Sequence, residues 1–90
     1  MKWTVLWKPR AEGQLARIWL EAEDRQAVRA AADRVDAELS QAPMSVGESR
    51  SGGVRVAFAT PLGVELEVVE QDRVVYVLSV WRIGTRRKPG

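Results

Sequence analysis

Ninety residues without a shift in composition make one folding unit, and a chain that is 46% apolar and 29% charged is globular rather than disordered. Cysteine and histidine are both absent, which excludes disulfides, thiolate metal sites and imidazole general bases; any catalysis must run on carboxylates, Arg, Lys, Tyr or Ser, and neither a metal nor another cofactor is expected. The net charge is a small +2, and the chain has neither an apolar run of the roughly 18 residues that a membrane span needs nor a signal-like start in Met1-Lys2-Trp3-Thr4, so a cytoplasmic protein without a membrane partner is expected.

Lys2-Trp3-Thr4-Val5-Leu6-Trp7 alternates in β-favouring residues, with Trp3, Val5 and Trp7 on one side, and predicts a strand. Lys8-Pro9 ends it, and Pro9 suits the first position of a helix along which Ala11, Leu15, Ile18 and Ala22 form an apolar stripe with Trp19 beside them. A second helix opens at Asp24 as N-cap, carries Val28, Ala31, Ala32, Val35 and Leu39, and stops before Pro43. The short joint at Ala22-Glu23 predicts an antiparallel helical hairpin lying on a sheet. Residues 44 to 53 are polar, contain Gly and Ser, and read as a loop flanking a strand. From Val54 the period becomes two. Val54, Val56 and Phe58 alternate with Arg55, Ala57 and Ala59; Thr60-Pro61-Leu62-Gly63 turns the chain; Val64, Leu66 and Val68 alternate with Glu65, Glu67 and Val69. Gln71-Asp72 turns it again into Arg73 to Trp81, apolar on both faces as a central strand is. The order β-α-α-β-β-β predicts a two-layer α+β domain over residues 1–82, a helical hairpin packed on an antiparallel sheet of about four strands. Residues 83–90 read as a flexible basic tail.

Charge is unevenly distributed: residues 1 to 45 carry seven basic and seven acidic side chains, 46 to 90 seven and five. Arg82, Arg86, Arg87 and Lys88 form a C-terminal run able to attract phosphate or an acidic partner, or simply to remain solvated. Trp3, Trp7, Trp19 and Trp81 are expected in the core; Trp81, beside the basic run, is the one that could instead stack on a base or enter a partner's groove.

Two stretches carry a resemblance. Val5-Leu6-Trp7-Lys8-Pro9-Arg10-Ala11-Glu12, leading to Leu15 and Ile18-Trp19, is similar to the start of RelE/ParE toxins, where a strand ends in a Pro-x-Ala step into the first helix. Gly63-Val64-Glu65-Leu66-Glu67-Val68 followed by Val74-Val75-Tyr76-Val77-Leu78-Ser79-Val80-Trp81-Arg82 resembles that family's closing hairpin, so the resemblance spans essentially the whole chain. It implies a toxin of the toxin–antitoxin systems associated with plasmid stabilisation, held inactive by a cognate antitoxin protein that wraps its surface. It also implies alternative targets. RelE-like members bind RNA and cut messenger RNA in the ribosomal A site, holding phosphates with basic residues on the sheet; ParE-like members poison DNA gyrase and lack that set. An inert interaction module that kept the fold is the third reading.

In RelE-like nucleases the strand after the turn usually begins Gly-Tyr-Arg, with the Arg on the reacting phosphate. The matching stretch is Gly63-Val64-Glu65, where a carboxylate would repel what a guanidinium neutralises. Neither His nor a terminal Tyr follows Trp81-Arg82. The resemblance therefore leaves Arg50, Arg55 and Arg82 as a candidate phosphate cradle, with Glu48 or Glu65 as general base toward a ribose 2′-hydroxyl. Arg82, Arg86, Arg87, Lys88 and Trp81 are the candidate nucleic-acid contacts. The plainer alternative pairs Arg55 with Glu65 or Glu67 as a surface ion pair across the sheet. Alternation favours placing Val54, Val56 and Phe58 in the core with Leu66 and Val68, which would align Arg55 with Glu65, Glu67, Tyr76 and Leu78, and Arg82 in phase.

Overall fold

In the computed structural model, which describes residues 2–83, the elements run β1 (Thr4–Trp7), α1 (Pro9–Glu21), α2 (Arg25–Gln41), β2 (Glu48–Ser51), β3 (Val54–Ala59), β4 (Leu62–Val69) and β5 (Val74–Arg82). Pro9 starts α1 as expected. Asp24 caps α2, its carboxylate accepting from the Ala27 amide at 3.0 Å, an N-cap bond that stabilises a helix by about 1 kcal/mol. Arg25 closes the hairpin by donating to the Trp19 and Leu20 carbonyls, each at 3.0 Å, so the last turn of α1 finds partners in the first residue of α2.

The sheet order is β1-β5-β4-β3-β2, with β1 parallel to β5 and the other pairs antiparallel. There are five strands among the described residues, where about four were expected. The stretch read as a loop contains a short 3-10 turn, Pro43–Ser45, and then β2, a wholly exposed edge strand that lacks the apolar alternation by which strands are recognised.

Both helices pack on one face of the sheet. Their contribution is Ala11 from α1 and Val28, Ala31, Val35 and Leu39 from α2, against Ala57, Ala59, Leu62, Val64, Leu66, Val68, Val75, Val77 and Val80. Ala31, Ala57 and Ala59 are small enough to let α2 approach β3 closely. Among the described residues no helix lies on the opposite face of the sheet, which is open.

Two register features overturn the expected facing. Ala59 pairs with Leu62, so β3 and β4 are joined by Thr60-Pro61 alone, and Ala57 opposes Val64, Arg55 opposes Leu66 and Phe58 opposes Gly63. Val54, Val56 and Phe58 therefore lie on the open face and Arg55 on the helix face, the reverse of the expectation. The alternation was ambiguous because β3 is apolar on both sides; the two-residue loop decides it. In β5, Glu65 pairs with Ser79 but Leu66 with Val77, leaving Leu78 as an extra residue. The bulge shifts the phase of residues 79–82, so Trp81 opposes Gly63 on the open face while Arg82 opposes buried Leu62 on the helix side.

Candidate functional site

Arg55 projects from β3 toward the 3-10 turn that precedes β2. Its Nε donates to the Val46 carbonyl at 2.9 Å and its Nη2 to the Gly47 carbonyl at 3.2 Å, so the half-buried guanidinium clamps a loop. It forms neither the expected cross-strand pair with Glu65 or Glu67 nor a surface open to phosphate. Gly47 fits the same corner: its φ is +67°, and a Cβ there would run into the Val56 carbonyl.

The remaining members of the expected set are dispersed. Arg50 is the extra residue where the β2–β3 register shifts, and its nearest acidic atom is Glu48 Oε1 at 3.9 Å, both side chains largely in solvent. Arg82 sits beside Leu62 and Arg55 beside Leu66, two strands apart, a Cα separation of roughly 16 Å by strand geometry. Glu65 lies on the open face, accepting from the Ser79 hydroxyl at 3.2 Å. Glu48 shares its row through Val56. Arg55 and Arg82 are thus on the side of the sheet away from the two candidate bases, and Arg55 is already bonded to two loop carbonyls. Arg86, Arg87 and Lys88 lie outside the described residues. Among those described, no group of three or more acidic side chains is arranged to hold a metal ion.

The helical layer offers a different kind of site. α1 packs chiefly on β5, and α2 reaches β1, β3 and β4, so the two diverge and leave a groove of about 860 Å³ between them. Trp7, Leu15, Trp19, Leu20, Val28 and Ala32 form its apolar lining; Glu12, Arg29, Asp33 and Asp36 stand around it. Trp7 Nε1 donates to Asp36 Oδ1 at 3.2 Å, tying the end of β1 to α2. Leu20 is 63% exposed and Trp19 39%, with the Arg25 guanidinium 4.6 Å from the Trp19 ring. Trp19, expected in the core, is instead on a wall of this groove. Its signal in the sequence was the surplus of apolar residues: Leu15, Ile18, Trp19 and Leu20 cover more of α1 than one buried face requires.

Trp81 also departs from the core. It is 37% exposed on the open face, where its ring meets Phe58 edge-on at 6.4 Å between centroids. Trp3 and Trp7 do pack against the core from β1.

No protein-family model matches the sequence, and no curated protein is significantly similar to it. Solved structures do match. The toxin–antitoxin complex RelBE2 of Mycobacterium tuberculosis aligns over 91% of this chain and 99% of its own, at 20% identity and a TM-score of 0.73. The chromosomal ParDE toxin–antitoxin system of P. aeruginosa aligns over 91% and 97%, at 18% identity and a TM-score of 0.71. The isolated E. coli RelE toxin aligns over 93% and 87%, at 13% identity and a TM-score of 0.57. The chain has the RelE/ParE fold. No helix among its described residues is long and apolar enough to cross a membrane.

Proposed function

We propose that this chain is the toxin half of a toxin–antitoxin pair, a cytoplasmic protein neutralised when an amphipathic helical segment of its cognate antitoxin fills the α1–α2 groove. The observation that carries the reading is the groove itself: Leu20 and Trp19 are held in solvent on a helix whose other apolar residues already serve the core. Burying a large side chain of this kind stabilises a complex by about 1.5–3 kcal/mol. The fold likeness supports it, since two of the similar structures are described as a toxin–antitoxin complex or system.

The target reading that the geometry favours is poisoning of a protein such as DNA gyrase rather than ribosome-dependent cleavage of messenger RNA. Cleavage needs guanidinium groups converging on the reacting phosphate. Here Arg55 is bonded to loop carbonyls and Arg82 is on the helix side, and the resemblance to RelE-like nucleases matches their arginine to Glu65.

Induced expression tests both parts. The chain alone is expected to arrest growth with messenger RNA intact, and the product of an adjoining short reading frame to relieve the arrest and co-purify. Leu20→Arg should keep the arrest and the melting temperature but lose relief and co-purification. Codon-positioned cuts in a reporter message would establish the nuclease instead, and unimpeded growth would reduce the chain to an inert binding module.

A further inference from the structure

Gly63 lies in the middle strand of three on the open face, between Phe58 and Trp81 in the same row. A Cβ at Gly63 would come within 2.6 Å of the Trp81 ring, so the indole lies directly on the bare backbone of β4. Phe58 closes from the other side, its ring plane at 84° to that of Trp81. Two rings meeting over a glycine stabilise a hairpin, yet Phe58 remains 61% exposed, and nothing among the described residues covers it.

The adjoining rows have a definite chemistry. The next contains Glu48, Val56, Glu65 and Ser79; the one after contains Val54, Glu67, Tyr76 and Leu6. Rows on one face are about 7 Å apart, so the aromatic pair and the central carboxylates fit under one small epitope. Two cations stand at opposite margins of this face, Lys8 held 4.8 Å over the Tyr76 ring and Arg50 beside Glu48. Among the described residues, Glu65 and Glu67 form no ion pair.

We propose that the open face is a docking surface for a protein partner that presents an apolar side chain next to Lys or Arg. Phe58 and Trp81 receive the apolar group, and Glu65 and Glu67 receive the cations. A polynucleotide suits this surface poorly, because a base stacked on Trp81 would carry its phosphates to the carboxylates of the next row. Exposed aromatic clusters rimmed by polar groups are typical of protein-binding sites, and aromatic anchors carry a large share of the affinity there. This face lies across the sheet from the α1–α2 groove; its role as the face that meets the target rests on the toxin reading.

The test uses the full ¹⁵N-labelled chain and two probes, a cationic amphipathic peptide of alternating Lys and Leu and a single-stranded 12-nucleotide RNA. The Trp81 indole resonance, assigned by its loss in Trp81→Phe, is expected to move saturably with the peptide and not with the RNA. Phe58→Ala should weaken peptide binding by about 10-fold or more. The Glu65→Gln/Glu67→Gln pair should weaken it severalfold and abolish most of its salt dependence. All these side chains are at least partly in solvent, and a thermal melt checks that the variants fold. A Trp81 shift with RNA, or peptide binding indifferent to both variants, overturns the proposal. In cells, if the wild type arrests growth, the Phe58→Ala/Glu65→Gln/Glu67→Gln variant should lose arrest while still binding its antitoxin. Arrest that persists in that variant overturns the proposal and leaves the toxin reading standing; a wild type that never arrests growth overturns the toxin reading, and the titration decides the face by itself.

Discussion

Replacing Arg55 separates a structural arginine from a catalytic one. In Arg55→Ala both bonds to the turn before β2 are lost, at 2.9 Å to the Val46 carbonyl and 3.2 Å to that of Gly47. A hydrogen bond from a charged group contributes about 1.5–3 kcal/mol. The Gly47 carbonyl is in the exposed part of the site and finds water in the variant, so its bond counts for little, and the expected loss is about 2 kcal/mol in total. For 90 residues at about 2.1 cal/mol/K each, the unfolding entropy is about 0.19 kcal/mol/K, and the melting temperature should fall by about 10 °C. Arg55→Lys should recover less than half of that, because an ammonium on a flexible stem does not present the planar fork that reaches two carbonyls at once. Thermal unfolding followed by circular dichroism measures both, and if the wild type arrests growth, as proposed, arrest at a permissive temperature should survive both changes. A melting temperature unchanged within about 2–3 °C, together with lost toxicity, would refute the loop-clamp assignment and return Arg55 to a phosphate site.

Asp24→Ala should cost about 1 kcal/mol, or about 5 °C, through the lost N-cap of α2, with Asp24→Ser restoring most of it. Gly63→Val should be destabilising despite lying in a strand, because its side chain displaces the Trp81 ring from β4; the near-ultraviolet circular dichroism of the indole should change with it. Gln14→Leu should lower stability by about 1–2 kcal/mol in chemical denaturation: β1 ends at Trp7, so β5 has no strand neighbour on that side at Val80, and the Gln14 amide oxygen accepts the Val80 amide at 2.7 Å in its place.

How much was legible in the sequence depends on how many readings each local pattern allows. Pro9, Asp24 and Pro43 mark helix limits through backbone chemistry that holds in any context, and both helices stand where those residues put them. β4 was clear from Val64 on, its buried Val64, Leu66 and Val68 alternating with Glu65 and Glu67, but Leu62 and Gly63, read as part of the turn, are its first two residues. β3 was not, because alanine on one side and valine or phenylalanine on the other both read as apolar. Choosing the larger set for the core is a fair rule of burial, but in β3 it is the small Ala57 and Ala59 that face α2 and are buried. β2 gave no signal at all, since an exposed edge strand of Glu, Ser and Arg is held by backbone pairing and by the Arg55 clamp rather than by a buried face. The groove was half legible, through the extra apolar residues of α1, while the dispersal of Arg50, Arg55 and Arg82 required knowledge of a loop length and a bulge.

That bulge also makes an unusual deletion tolerable. With Leu78 removed, Val77 is followed directly by Ser79, and strict alternation then keeps Tyr76, Ser79 and Trp81 on the open face and Val75, Val77 and Val80 in the core. The pairs Leu66–Val77 and Glu65–Ser79 become consecutive rungs of a regular ladder. The chain without Leu78 should therefore fold, with the Trp81 indole resonance near its original position, and lose only the half-buried contacts of one leucine, about 1–2 kcal/mol. Removing Leu66 from β4 is the control, because there the ladder opposite β3 has no extra residue to absorb the change and one half of the strand must turn Glu65 or Glu67 into the core. That variant should not fold. If deletion of Leu78 instead proves as damaging as deletion of Leu66, then β5 is not bulged at this position, and the placement of Arg82 on the helix side, on which the case against a phosphate cradle partly stands, falls with it.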